Sequence, residues 1–423
     1  MAATMRRASV ARRLRSLGGT LIRRAGLLPG GTPDGLGEDA RLADAVWEQQ
    51  VLVFFSETLD GLYQLQGWYE PLRALDAERG VVVVCMDSRV ARTVAAESGL
   101  TVHTVAQEST LEGLLERSSA LKLCLYVNNH PLNFIPLRFR SLSHVNLLHG
   151  DSDKIATVSN QLKAYDSIFV AGRAAIDRYS AYLPFFDAEA RCVVIGRPQV
   201  DAAELRRART GRVGRTILYA PTWEGAGPTV AYGSVRSHGV ALVRSLITDG
   251  FTVVYRPHPL SGVREPSYGE ADVAVRAVID AAATADPQAG HRISTSGPIA
   301  SDFAGADLLV GDVSAVTVDW LPTGRPLIVT VPAAETTQVA RTRLLEVAPR
   351  LQAADAGTAG HLAAHHLAAD PTAGARGDLV EYYFGDVEPG AALRHFLDAC
   401  SEAIARRDAE WRRLEALRGE NDS

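Results

Sequence analysis

Short apolar runs recur along the chain, separated by polar stretches with helical spacing. In the first half the runs are Val51–Phe55, Val81–Cys85, Thr101–Val105, Lys122–Val127, Val145–Leu148, Ser167–Val170 and Cys192–Ile195, and segments such as Leu62–Arg79 and Val90–Ser98 between them are long enough for helices. Strands buried on both faces read as continuous apolar runs, so this alternation predicts parallel βαβ units in a doubly wound sheet. A basic, Gly-containing strip, Asp201–Arg215, reads as an interdomain linker. The pattern then restarts with Thr216–Ala220, Phe251–Tyr255, Asp307–Val310 and Leu327–Val331. The sequence itself does not repeat, but the architecture does. Ala391–Leu417 reads as one or two closing helices. The expected organisation is a 1–37 basic segment, domains at 38–203 and 204–390, and closing helices at 391–423. Two doubly wound domains facing a cleft bind ligands at the carboxyl ends of their strands, so chemistry is expected just after strands.

Composition narrows this only slightly. With 423 residues, 47% hydrophobic and 22% charged, the chain has an ordinary globular balance and length for two or three domains. A net charge of −5 gives no argument for nucleic acid. Cys85, Cys124, Cys192 and Cys400 show no paired spacing and read as free core thiols in a reducing compartment. No apolar stretch reaches the roughly 18–20 residues of a membrane-spanning helix. The N-terminus stands out: Arg6, Arg7, Arg12, Arg13, Arg15, Arg23 and Arg24 precede the first acid, Asp34, with Met5, Val10, Leu14, Leu17 and Leu21 at roughly helical spacing. A basic amphipathic helix on an anionic membrane, an organellar transit peptide and a flexible basic tail all fit this pattern. A secretory signal does not, because the apolar segment of about 7–15 residues is missing.

Four places after strands carry unusual chemistry. His149-Gly150-Asp151-Ser152-Asp153-Lys154 offers a strand-end histidine suited to base catalysis near neutral pH, or an Asp151-x-Asp153 metal pair; Gly150 permits a sharp turn or close approach. Lysine is scarce in this chain, and Lys154 is placed to meet a phosphate, or is simply solvated. Arg256-Pro257-His258-Pro259 holds a histidine between two prolines, and Arg256 with His258 makes a natural donor pair for phosphate oxygens. Gly311-Asp312-Val313-Ser314 opens a helical run, as an anion-binding helix start or as a helix cap by Asp312 or Ser314. In Tyr219–Gly225, Thr222 and Trp223 would line the cleft, Trp223 as a stacking surface or a core residue. His361 and His365 lie one helical turn apart but lack the glutamate of a zinc-protease motif.

Taken together and in order, His-Gly-x-x-x-Lys, Tyr-Ala-Pro-Thr-Trp, Arg-x-His-Pro and an Asp-x-Ser helix start followed by Asp-Trp resemble the CDP-glycerol glycerophosphotransferases, which build or prime teichoic-acid-type polymers. The resemblance covers roughly Asn128 to Asp386 and includes Gln161–Tyr179, Ile195–Asp201 and Tyr382–Asp386. It implies a GT-B architecture, with two Rossmann-like domains, the first binding the acceptor and the second the nucleotide donor. It also implies His149 as the base on the acceptor hydroxyl, and His258 with Arg256 on the donor pyrophosphate. Ser314, with Thr317 one turn on and Lys154, would bind phosphate, while Thr222, Trp223 and Asp312 would line the nucleotide site. The implied partners are a CDP-alditol donor such as CDP-glycerol, a lipid-linked or polymer acceptor and, through the basic N-terminus, the inner face of the cell membrane. This reading requires no cofactor and neither needs nor rules out a divalent metal. Ala315 stands where the family usually has a second hydroxyl, a loss worth about 1–3 kcal/mol of phosphate binding if the partner is charged and buried. A GT-B glycosyltransferase using a nucleotide-sugar, a metal-dependent transferase built on Asp151 and Asp153, and a catalytically degenerate membrane-associated assembly protein are the alternative readings.

Overall fold

The strands β1 (Val51–Phe55) and β2 (Val81–Cys85) are buried at every residue, as their unbroken apolar sequences predict. They belong to a computed structural model that describes residues 37–154, 158–200, 214–225, 227, 231–297, 299–333 and 341–421. The basic N-terminal segment at 1–36 and most of the expected linker lie outside these residues.

The chain forms two compact units. The first holds, of the described residues, 37–149, 161–169 and 397–421; the second holds 150–160 and 170–396. In the first, β1 and β2 are joined by β3 (Thr101–Thr104), β4 (Leu123–Tyr126), β5 (Ser143–Asn146) and β6 (Ser167–Val170), parallel in the order β3-β2-β1-β4-β5-β6. The helix Ser88–Ser98 shows how locally this is encoded: the Asp87 carboxylate accepts from the Arg89 N–H at 2.8 Å to cap its start, and Gly99 ends it at φ 70°. Leu52, Phe54, Val82, Val84 and Tyr126 pack with Leu111, Leu114 and Leu115 of the helix Glu108–Arg117 into one core.

The second unit begins with the loop at 150–154 and contains β7 (Cys192–Val194). Its sheet comprises β8 (Thr216–Ala220), β9 (Thr252–Tyr255), β10 (Arg292–Ile293), β11 (Leu308–Gly311), β12 (Leu327–Thr330) and β13 (Arg350–Leu351), all parallel, in the order β10-β9-β8-β11-β12-β13. Alternate residues feed two cores. Ile217, Tyr219, Val253, Tyr255, Leu308 and Val310 face one, and Leu218, Ala220, Val254 and Leu309 the other. Each fully buried aliphatic side chain contributes about 1.5–3 kcal/mol. Both sheets therefore have the doubly wound order in which strand succession reverses once, between β1 and β4 and between β8 and β11. Such a switch point is where ligands bind in open α/β sheets.

Several expectations need correction. The helical stretch expected over Leu62–Arg79 breaks at Gly67–Trp68 into Tyr63–Gln66 and Tyr69–Arg79. The two-residue strands β10 and β13 are too short to leave a pattern. β5 lies two residues earlier than Val145–Leu148 because Leu148 adopts φ 57°, a left-handed conformation that ends the strand. For a non-glycine residue this costs about 1–3 kcal/mol and needs strong surroundings. Here Leu148 N–H donates to Asn146 Oδ1 at 2.9 Å, and its carbonyl accepts from the Trp68 indole at 2.8 Å.

The boundary expected near residue 203 also moves. Residues 150–160 and 170–200 group with the second unit; buried ion pairs join them to each other, and an ion pair and a hydrogen bond join them to the rest of it. Arg178, in the helix Arg173–Tyr182, pairs with Asp151 and lies 3.7 Å from Asp153. Tyr383 donates to Asp153 at 2.8 Å, and Arg197 reaches Asp319 at 2.8 Å. Gly172 is required here, since a Cβ would lie 2.5 Å from the Tyr383 backbone. The closing segment is a single helix, Ala391–Asn421. From Leu397 on it counts with the first unit, where Asp408 pairs with Lys122 at 2.6 Å and Arg407 donates to the Ser141 carbonyl at 2.6 Å.

Arg178→Met strands two buried carboxylates. Urea denaturation is expected to show about 3–5 kcal/mol lost, and a midpoint equal to that of the unaltered protein would refute the structural weight given to this pair.

Candidate active site

The loop after His149 is rigid because its acids are spoken for. Asp151 and Asp153 are buried against Arg178, so the metal pair considered for them is instead a clamp on a guanidinium. Burial works against the charge on Arg178, but the two carboxylates outweigh it and hold its pKa above the ordinary arginine value. Burial raises the Asp153 carboxyl, with Tyr383 and Arg178 opposing. Gly150 does not supply the sharp turn expected of it; Leu148 does. Gly150 instead admits close approach, because a Cβ there would lie 3.0 Å from the Ala315 Cβ.

Three predicted residues meet at the switch point of the second sheet. Lys154 Nζ donates to Thr222 Oγ1 at 2.9 Å and lies 5.5 Å from the Tyr232 ring centre. Thr222 N–H donates to Asp312 Oδ2 at 2.7 Å. Burial lowers the Lys154 ammonium to about 8, partly offset by the Asp312 charge. Asp312 is not a lining residue. It is fully buried, accepting also from Ser234 N–H at 3.1 Å and Thr330 Oγ1 at 2.5 Å, and burial raises its pKa. It stitches the ends of β8, β11 and β12 together.

Ser314 is the N-cap residue of a helix shorter than expected, Ala315–Asp319, followed by a 3₁₀ turn at Leu321–Thr323. The Ser314 hydroxyl does not cap this helix but lies 3.3 Å from Thr317 Oγ1. Thr317 in turn donates to the Asp312 carbonyl, so it does not replace the hydroxyl missing at Ala315. Arg256 is likewise committed, to Asp302 at 2.7 Å and to the Gly297 carbonyl at 2.7 Å. It orders the segment after β10 rather than presenting an open fork to phosphate.

His258 and Trp223 form a second group, with ring centres 6.3 Å apart and planes 24° from parallel; Arg264 lies over Trp223 at 5.7 Å. The Leu260 N–H donates to His258 Nδ1 at 3.1 Å, which places the proton of the neutral ring on Nε2. Glu224, which spacing did not single out, holds this loop. Its buried carboxylate accepts from Gly262 and Arg264 N–H at 2.9 Å each and from Glu265 at 3.1 Å. Burial raises its pKa, but these backbone donors outweigh that and lower it overall. Its adjacency to Trp223 was the one available clue.

In the first unit His149 follows β5 by three residues. Its Nδ1 donates to the Val127 carbonyl at 3.2 Å, leaving the basic lone pair of the neutral ring on Nε2, and Tyr63 meets the ring edge-on with centres 6.0 Å apart. His149 and His258 thus hold opposite tautomers. Of the thiols, Cys85, Cys124 and Cys400 are buried and Cys192 half-buried; burial pushes Cys124 and Cys192 up to about 12, so neither is an activated nucleophile. Among the described residues no group of three His, Cys, Asp or Glu is placed to hold a metal, and the His361–His365 pair has no third ligand. A groove of about 890 Å³, lined by Arg173, Glu381, Tyr382 and Asp386 among others, contains none of the candidate residues.

Residues 150–351 match the family model of CDP-glycerol:poly(glycerophosphate) glycerophosphotransferase. No curated protein sequence matches the chain. Among solved structures it is similar to the wall teichoic acid polymerase TagF, with 15% identity, a TM-score of 0.53, and coverage of 94% of this chain and 98% of that one. It is also similar to a glycosyltransferase from Rickettsia africae, with 10% identity, a TM-score of 0.53, and coverage of 84% and 98%. At such identities these likenesses show the fold, an α/β architecture of GT-B type.

The Lys154 site carries a pH test. Below about 8 the ammonium is charged and attracts anions; above it that attraction is lost. Sulfate binding followed by Trp fluorescence should be steady up to neutral pH and about tenfold weaker one unit above the lysine pKa. Lys154→Met should flatten this limb. An unchanged pH dependence in that variant would show that another group controls the site.

Proposed function

We propose that this CDP-glycerol glycerophosphotransferase-like enzyme moves a glycerol-phosphate, or related alditol-phosphate, unit from a CDP-alditol to a hydroxyl of a lipid-linked or polymer acceptor and releases CMP. The family implies a CDP-alditol donor and a polymer acceptor. The observation that carries the chemical assignment is the opposite tautomers of the two histidines. His149 presents a basic Nε2 and takes the acceptor's proton. The acceptor oxygen then bonds to the β-phosphorus of the donor as the bond from that phosphorus to the bridging oxygen breaks, and CMP leaves with that oxygen. His258 presents an Nε2–H, and it donates to the charge developing on the pyrophosphate, as does Lys154. Ser314, at the switch point with Lys154 and Thr222, contacts the phosphate, and Trp223 stacks on the nucleotide.

This account routes no step through a metal, and turnover in excess EDTA tests that. Two buried carboxylates clamped on Arg178 weigh against the metal-dependent alternative. A glycosyltransferase shares the fold, so donor choice separates the two readings. With CDP-glycerol, the unaltered protein should release CMP far faster when acceptor is present than by the slow hydrolysis seen without it. His149→Ala should lower that rate about 10²–10⁴-fold. Turnover with UDP-sugars alone, or unchanged rates in both His149→Ala and His258→Ala, would overturn the assignment.

No helix among the described residues is long and apolar enough to cross a membrane. We place the enzyme in the cytoplasm, peripheral at the inner face of the cell membrane through its arginine-rich N-terminus. The full chain should co-sediment with anionic vesicles and be released by high salt, and a chain beginning at Gly37 should not bind. Equal binding of the two would remove the N-terminus from this role.

A further inference from the structure

The first sheet has its own switch point, and none of the residues assigned above occupies it. There Ser56, the residue after β1, lies with Oγ 2.8 Å from Nδ1 of His130, in the loop after β4. The Leu132 N–H donates to the same Nδ1 at 3.2 Å. That nitrogen is therefore an acceptor, the serine O–H donates a hydrogen bond to it, and the neutral imidazole carries its own proton on Nε2. The pair thus offers a serine oxygen with its lone pairs available and an imidazole N–H, both on half-buried side chains. An alcohol can satisfy both at once, donating to the first and accepting from the second.

The surroundings are built to hold this pair. Gln161 Nε2 donates to the His130 carbonyl at 2.9 Å, and Asn128 Nδ2 donates to Gln64 Oε1 at 2.7 Å. Asn128 is 4% exposed, yet its Oδ1 has no hydrogen-bond partner among the described residues. A buried acceptor without a partner is costly and calls for a donor. Its neighbour in sequence, Val127, supplies the carbonyl that fixes the His149 ring. Ser56, His130 and His149 thus come from the carboxyl ends of β1, β4 and β5, which are adjacent in the sheet.

We propose that Ser56 and His130 form an acceptor subsite that binds a hydroxyl of a polyol-phosphate chain end, beside the hydroxyl that His149 deprotonates. This rests on the first unit handling the acceptor, as proposed above.

The test measures CMP release while a soluble poly(glycerol phosphate) oligomer and CDP-glycerol are varied separately, for the unaltered protein, Ser56→Ala, Ser56→Thr and His130→Gln. Ser56→Ala and His130→Gln should raise the KM for the oligomer about tenfold or more and leave the KM for CDP-glycerol and its slow hydrolysis by water unchanged. Ser56→Thr, which keeps the hydroxyl, should restore the oligomer KM. An oligomer KM within twofold of the unaltered protein in both variants, or hydrolysis falling in step with transfer, would overturn the subsite. If the unaltered protein releases no CMP, the donor assignment fails by itself, and calorimetric titration of the same oligomer decides the subsite. Weaker binding to Ser56→Ala or His130→Gln than to the unaltered protein supports it, and equal binding, or none to the unaltered protein, refutes it.

Discussion

Arg178, buried between Asp151 and Asp153, is the contact on which the strand-end loops of the second unit depend. It fixes the loop that carries Gly150 against Ala315 and Lys154 against Thr222. From Thr222 the network passes to Asp312, and from Asp312 to Ser234 and Thr330. Arg197 and Asp319 repeat the device a short way along the chain. A buried ion pair adds little net stability over an apolar pair of the same shape, but loss of one partner is severe. Such pairs therefore fix a single geometry more than they strengthen the fold. Several motif residues that look catalytic on paper belong to this framework.

The two histidines show how backbone sets chemistry. In each ring a backbone group sets the tautomer. A carbonyl just past β4 leaves Nε2 of the neutral His149 ring as its acceptor nitrogen, and an amide from the proline-bounded loop leaves Nε2 of the neutral His258 ring as its donor. Rigid backbone partners of this kind preorganise proton transfer without the desolvation penalty of a buried carboxylate.

The parts of the fold legible in sequence were those written in uninterrupted apolar runs. β1, β2, β6 and β8 have the predicted bounds because every residue in them is apolar or tolerated in a buried strand. β5 was misplaced because Leu147 and Leu148 continue the apolar pattern past the left-handed residue that ends the strand, and nothing in a leucine's chemistry announces that conformation. That the candidate residues follow strands was legible for the same topological reason that makes switch points binding sites. The roles within it were less so. Thr317, Arg256 and Asp312 carry the right groups, but spacing does not reveal that those groups are already satisfied by Asp312's carbonyl, by Asp302, and by two backbone amides with Thr330. The Asp151–Arg178 pair is 27 residues apart in the chain and has no local signature.

The contact between Gly150 and Ala315 links two positions that sequence comparison would treat separately. With 3.0 Å between the two Cβ atoms if position 150 gained one, the neighbour must yield before position 150 can change. A residue larger than glycine at 150 requires Ala315 to give by a few tenths of an ångström, through a shift of the helix start or loss of its methyl. While Gly150 is kept, the small residue at 315 can drift between a methyl and a hydroxymethyl group.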